Sequence, residues 1–192
     1  PSDASTGQKT LAEQSLRQLG NMAAVANVLC ARSELRRDQG HHDAALAMAG
    51  QAVTAAEAHA AGGGDQRPVI EALMVQVEMM LYVHRPGALH PAQRARDLAR
   101  AVYGERLHDR ALEAQRCHAL AQVWEGDAEA GLATLKSLLV QRRRLTGERH
   151  HSVSSLQLSI GLGAESVGDV VGAIEAFREM LRLARARSDG QP

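Results

Sequence analysis

Only two cysteines, Cys30 and Cys117, occur in the chain. That is too few for a disulfide framework, so a reducing, cytoplasmic setting is expected. Aromatic residues are scarcer for the length: one Trp, two Tyr and one Phe in 192 residues. Strands draw on aromatic and β-branched side chains, whereas this sequence draws on 34 Ala and 23 Leu. An Ala/Leu core of this kind points to an all-α protein. An excess of either charge is missing too, with 22 Lys and Arg against 22 Asp and Glu. Direct nucleic-acid binding, which relies on surplus Lys and Arg, is therefore not expected. No apolar run approaches the ~20 residues of a membrane span, and no charged-apolar-cleavage signal opens the chain. With 45% hydrophobic and 23% charged residues, the composition is that of a globular protein and excludes wholesale disorder. The first residue is Pro1 rather than Met, so the sequence reads as a piece of a longer protein.

What is present is repetition. Gly104-Glu105-Arg106 recurs as Gly147-Glu148-Arg149, 43 residues on, and each copy is followed at the same offset by a histidine, His108 or His151. Gly126-Asp127 recurs 42 residues later as Gly168-Asp169. Gly40 with Asp43, and Arg85-Pro86-Gly87, read as earlier and more divergent copies of the same turn. Apolar residues on either side follow helical spacing: Leu156, Ile160, Gly163 and Val167 before the last turn, then Val170, Ala173, Ile174, Phe177, Leu181 and Ala184 after it. Each unit therefore reads as helix, tight Gly-Asp turn, helix, with Gly closing the first helix and Asp capping the second. The expected helix pairs cover about 22–39 with 43–60, 67–84 with 91–103, 108–125 with 128–146, and 150–167 with 170–187. They fall into repeats at about 22–64, 65–104, 105–147 and 148–187, within one helical domain over 8–187. A leading helix is expected over about 8–19, and the tails 1–7 and 188–192 are expected to be unstructured.

The residues Ile160-Gly161, Gly168-Asp169, Ala173-Ile174-Glu175-Ala176-Phe177 and Met180-Leu181 resemble a tetratricopeptide repeat. Gly161 and Ala173 stand at its small helix-crossing positions, and Phe177 at the bulky position four residues on. The third repeat offers Ala119, Gly126-Asp127, Gly131 and Leu135, and the first offers Ser33, Gly40, Ala45, Ala49 and Ala52. The pattern's Trp position holds Gln157 or Gln115, and its Tyr position holds Ala164 or Gln122. The ~42-residue period, with Gly-Glu-x-x-His between repeats, is similar to the long variant of kinesin light chains and of bacterial signalling proteins. The likeness spans roughly residues 22–187. It implies a right-handed α-solenoid of about four helix-turn-helix repeats plus the N-terminal helix, each repeat buried only against its neighbours. It also implies a concave groove lined by the first helices. By that register the groove residues are Asn27, Cys30, Glu34 and Arg37, then Leu81 and His84 (with Val77), then Glu113, Arg116, Leu120 and Val123, then Ser155, Leu158, Leu162 and Glu165. Such a lining suits an amphipathic helix or an extended apolar peptide, and the competing reading makes Leu120, Leu158 and Leu162 plain core.

No catalytic set, metal site or cofactor is expected. The nine His include no H-E-x-x-H, there is no C-x-x-C, and Cys117-His118 point to different helix faces. Gly62-Gly63-Gly64-Asp65 lacks the Lys-Ser/Thr of a phosphate loop and reads as a linker. Arg142-Arg143-Arg144 and Arg182, Arg185 and Arg187 read as solvated helix ends. Trp124 reads as an inter-repeat packing residue. The resemblance and the Ala/Arg-rich usage together suggest the interaction module of a bacterial serine/threonine kinase or transcriptional regulator. Two other readings stand beside it: self-assembly as a homodimer through the terminal helices, since no polar cap follows the last one, and sensing of a ligand or peptide.

Overall fold

A computed structural model describes residues 13–16, 20–104 and 107–188. These residues are helical apart from short turns, and no strand occurs among them. From residue 20 on, eight helices follow one another among the described residues: α1 Met22–Asp38, α2 His42–Ala61, α3 Arg67–Tyr82, α4 Leu89–Tyr103, α5 Asp109–Glu125, α6 Ala128–Thr146, α7 His151–Ser166 and α8 Val170–Ser188. They lie close to where the periodicity places them, apart from α3, which stops at Tyr82 instead of reaching 84, and α4, which begins two residues before Pro91. Of the leading helix expected over 8–19, residues 13–16 are helical. The rest of that helix lies outside the described residues, as do 1–7 and, of the tail expected over 188–192, residues 189–192; Ser188 instead belongs to the last helix.

The chain divides into two compact units, Pro1–Val102 and Tyr103–Pro192. In the first, α1 packs on α2, α2 on α3, and α1 also touches α3. Where α1 crosses α2, the buried Ser33 hydroxyl donates to the Ala45 carbonyl at 2.8 Å. A small side chain lets the two backbones approach, and its hydroxyl finds an acceptor instead of being buried unsatisfied. The α2 side of this core is nearly all alanine, with Ala45, Ala49, Ala52, Ala55 and Ala56 buried. α4 buries Ala92, Ala95 and Ala99 on one face and is tied to α2 by an Arg94–Glu57 ion pair of 2.5 Å.

In the second unit, α5 packs on α6, α6 on α7, α7 on α8, and α5 also touches α7. The crossing of α5 and α6 repeats the 12-residue offset of Ser33 and Ala45. A methyl group placed on Gly131 would lie 2.6 Å from the Ala119 carbonyl oxygen, 2.8 Å from Val123 Cγ2 and 3.0 Å from the Val123 amide nitrogen. Gly161 and Ala173, both buried, hold the same offset between α7 and α8. The Phe177 ring fills the space that a side chain at Gly161 would need, with Cζ 2.7 Å and Cδ1 2.6 Å from where a β-carbon would stand. Three crossings at one offset make the α1–α2, α5–α6 and α7–α8 hairpins the same structural unit, the mark of a helical repeat.

The turns partly follow the expected Gly-Asp rule. At Gly168 (φ 77°), the amides of Gly168 and Asp169 donate to the carbonyls of Glu165 and Ala164. The Asp169 carboxylate then accepts the Gly172 amide at 2.9 Å. This left-handed residue closes one helix while the next side chain caps the following one. Gly126 departs from the rule, with φ −138°, although Asp127 still caps α6 by accepting the Ala130 amide. At Gly40, with φ 80°, His41 occupies the cap position of α2 and makes no side-chain cap bond.

Candidate functional site

In the first unit, α1 presents Asn27 and Glu34 exposed, with Cys30 and Arg37 half-buried. Arg37 is engaged sideways, its guanidinium 2.9 Å from the Asp38 carboxylate. Cys30 faces α3. Burial pushes its thiol up from 9.0 to about 12, helped by the Glu34 and Glu71 carboxylates. Removing the thiolate's hydration and adding two negative neighbours act in the same direction, so this cysteine stays a neutral, weakly polar side chain. Glu71 is a residue that the sequence register does not name. Val77, offered there as a lining residue, is fully buried. It holds the inward position on α3 that Ser33 holds on α1, and Glu71 then stands six residues before it, as Asn27 stands six before Ser33. Leu81 is half-buried near the end of α3. His84 lies beyond the helix, exposed and with φ 53°, and so off the face that α3 shares with α1.

The second unit brings its candidates together on α5 and α7. Glu113 and Arg116 pair one helical turn apart, with Arg116 Nε donating to Glu113 at 2.6 Å. Arg116 Nη1 reaches across to α7 and the Ser159 hydroxyl at 3.4 Å. Behind them, Arg142 of α6, only 3% exposed, pairs with Asp109 and with Glu113 at 3.2 Å. The sequence reading takes Arg142 as a solvated helix end. In the structure it is buried instead: two carboxylates on α5 face it, and a buried guanidinium needs such partners. The alternation Asp109–Arg142–Glu113–Arg116–Ser159 therefore crosses three helices and fixes the guanidinium of Arg116 at the seam of α5 and α7.

Beside that seam, α7 shows Ser155, Leu158 and Glu165 exposed and Leu162 half-buried. Leu158 is 42% exposed, a large apolar side chain left open to solvent. Leu120 and Val123 do not join this face. Both are buried, and Val123 Cγ2 packs between Gly131 of α6 and Gly163 of α7. Both belong to the core, and for Val123 the two glycines leave the space. Trp124, expected to pack between repeats, is 45% exposed.

The far edge of this unit carries a second charged group. Arg143 and Arg182 each pair with both Glu148 and Glu179, at 2.7 to 3.9 Å. The Arg182 guanidinium hydrogen-bonded to Glu179 holds that carboxyl below its usual range. The ring ties the end of α6 and the following loop to α8, so Arg182 too is more than a solvated helix end.

No model of a known protein family matches the sequence, and no curated protein does. Among solved structures, the chain is similar to BtubC (BKLC) from P. vanneervenii, with a TM-score of 0.63 over 98% of this chain and 83% of that one, at 13% identity. At that identity the likeness is one of fold, and the fold is an all-helical repeat architecture.

Proposed function

We propose that the chain is a non-catalytic protein-interaction module of the tetratricopeptide type, which holds a peptide or a partner helix against the open faces of its first helices. The observation that carries this reading is the α5–α7 face, where exposed Leu158 and half-buried Leu162 lie beside an Arg116 already oriented by Glu113 and Ser159. Arginine is among the residues that carry binding energy at interfaces, and a leucine left open to solvent beside it gives a partner apolar area to cover. The partner this suits is an amphipathic helix or an extended apolar peptide laid along the face. Glu165 and Ser155 at its two ends add polar contacts that set register more than affinity. Similarity to a helical repeat protein supports the same reading at the level of fold. No described helix is long and apolar enough to cross a membrane. We place the module in the cytoplasm, within a larger bacterial signalling or regulatory protein such as a serine/threonine kinase or a transcriptional regulator.

The test is affinity capture from a bacterial lysate with the chain as it stands and with Leu158→Asp plus Leu162→Asp, after circular dichroism has shown the variant folded. A partner held by the first and lost by the second supports the reading. A partner retained equally by both, or none with either, removes the α5–α7 face from consideration.

A further inference from the structure

The outer side of α8 is apolar and uncovered among the described residues. Ile174 is 44% and Leu181 47% exposed, while Phe177 and Leu183 of the same helix turn inward. One repeat earlier, Leu132 of α6 stands where Ile174 stands on α8, 42 residues on. Leu132 is buried, its Cδ1 lying 3.3 Å from where a β-carbon on Gly163 of α7 would stand. The side of α8 left open is thus the side on which α6 receives a helix.

We propose that the helix received there is α8 of a second copy, packed antiparallel about a two-fold axis. The charges on that side favour this occupant. Exposed Glu175 lies in the first half of the open face and Arg178 follows it along the same flank, with Arg182, which already pairs with Glu148 and Glu179, beyond it. Glu175 and Arg178 form no ion pair among the described residues. If Ile174 of each copy packs on Leu181 of the other, the axis passes between positions 177 and 178. At 1.5 Å of rise per residue, each Glu175 then falls midway between Arg178 and Arg182 of the second copy, about 3 Å along the helix from each. A two-fold interface must be self-complementary, and this one places acid against base twice.

The experiment is sedimentation equilibrium of the full chain from about 1 to about 500 µM, a range bracketing the micromolar affinity of a small two-helix interface. Monomer–dimer behaviour is expected. Ile174→Asp with Leu181→Asp, both at exposed positions, should leave the helical circular dichroism intact and abolish association. Glu175→Arg should weaken the dimer by about tenfold or more, and adding Arg178→Glu should recover part of the loss, because the exchanged charges face one another again. A chain that stays monomeric throughout overturns the proposal and leaves the face to a helix of another protein. A dimer indifferent to the Asp pair, or one whose Glu175→Arg loss is not relieved by Arg178→Glu, also overturns it.

Discussion

Replacing Gly161 by Ala tests how closely α7 and α8 approach. The added methyl would stand within 2.7 Å of three Phe177 ring carbons, well inside van der Waals contact. With only two side-chain torsions, the ring must leave its rotamer or push α8 away. Overpacking of this kind costs roughly 1–3 kcal/mol, while Ala in place of a mid-helix Gly returns roughly 1 kcal/mol. A net loss of about 1 kcal/mol is expected. If Phe177 is first cut back to Ala, the collision disappears and only the helix-propensity gain remains. Gly161→Ala should then be neutral or stabilising by up to about 1 kcal/mol, which makes the coupling between the two sites about 1–2 kcal/mol. Urea unfolding followed by circular dichroism across the four-member cycle reads this directly, provided the slopes agree. A Gly161→Ala cost that is the same in both backgrounds, within about 0.5 kcal/mol, would refute the contact.

Gly131→Ala should behave differently, because the atoms in its way include the Ala119 carbonyl and the Val123 amide nitrogen, which are backbone. A loss of about 3 kcal/mol is expected in the same assay, with no rescue by Val123→Ala; rescue would show that only side chains obstruct it. Arg142→Met leaves Glu113 with Arg116 but strips Asp109 of its partner. Because Asp109 is half-exposed and can turn to water, the cost should be about 2 kcal/mol rather than the 3–5 of a fully buried pair. An unchanged urea midpoint for Arg142→Met would mean that the network does not hold the three helices. For Cys30, the raised thiol pKa means that the folded chain keeps its proton while the unfolded chain loses one above pH 9.0. This contribution to stability is complete below pH 9 and is lost as the pH climbs toward 12. In a Cys117→Ala background, alkylation of Cys30 at pH 9.5 should be far slower folded than in urea, and equal rates would contradict the burial.

The fold was legible because its signals are local. The 42-residue recurrence of Gly-Asp, the helical spacing after it, and the small residues at 33 and 45, 119 and 131, 161 and 173 each report on a few neighbouring turns of chain. The candidate faces were legible only where a repeat was regular. On α7, Ser155, Leu158 and Glu165 are open, as the register places them. On α3 the register slipped, because no small residue marks the crossing: Val77 fills that place, and Glu71 beside Cys30 was missed. Leu120 and Val123 were misplaced for a different reason. Both lie in the right register for a groove yet are buried, and for Val123 it is Gly131 and Gly163 that open the space, which a single helix pattern cannot reveal. Nothing nearby in sequence shows that Asp109 and Glu113, about thirty residues earlier, come to face Arg142, so the sequence alone makes it a solvated helix end.

A partner lying on α5 and α7 would shield the open side chains of that face from solvent. Hydroxyl-radical footprinting of the chain with and without a captured partner measures it at the level of side chains. Protection of Leu158 and Leu162, with exposed Trp124, Val140 and Tyr82 labelled equally in both states, is the expected result. Unchanged labelling of Leu158 and Leu162 in the complex would contradict it.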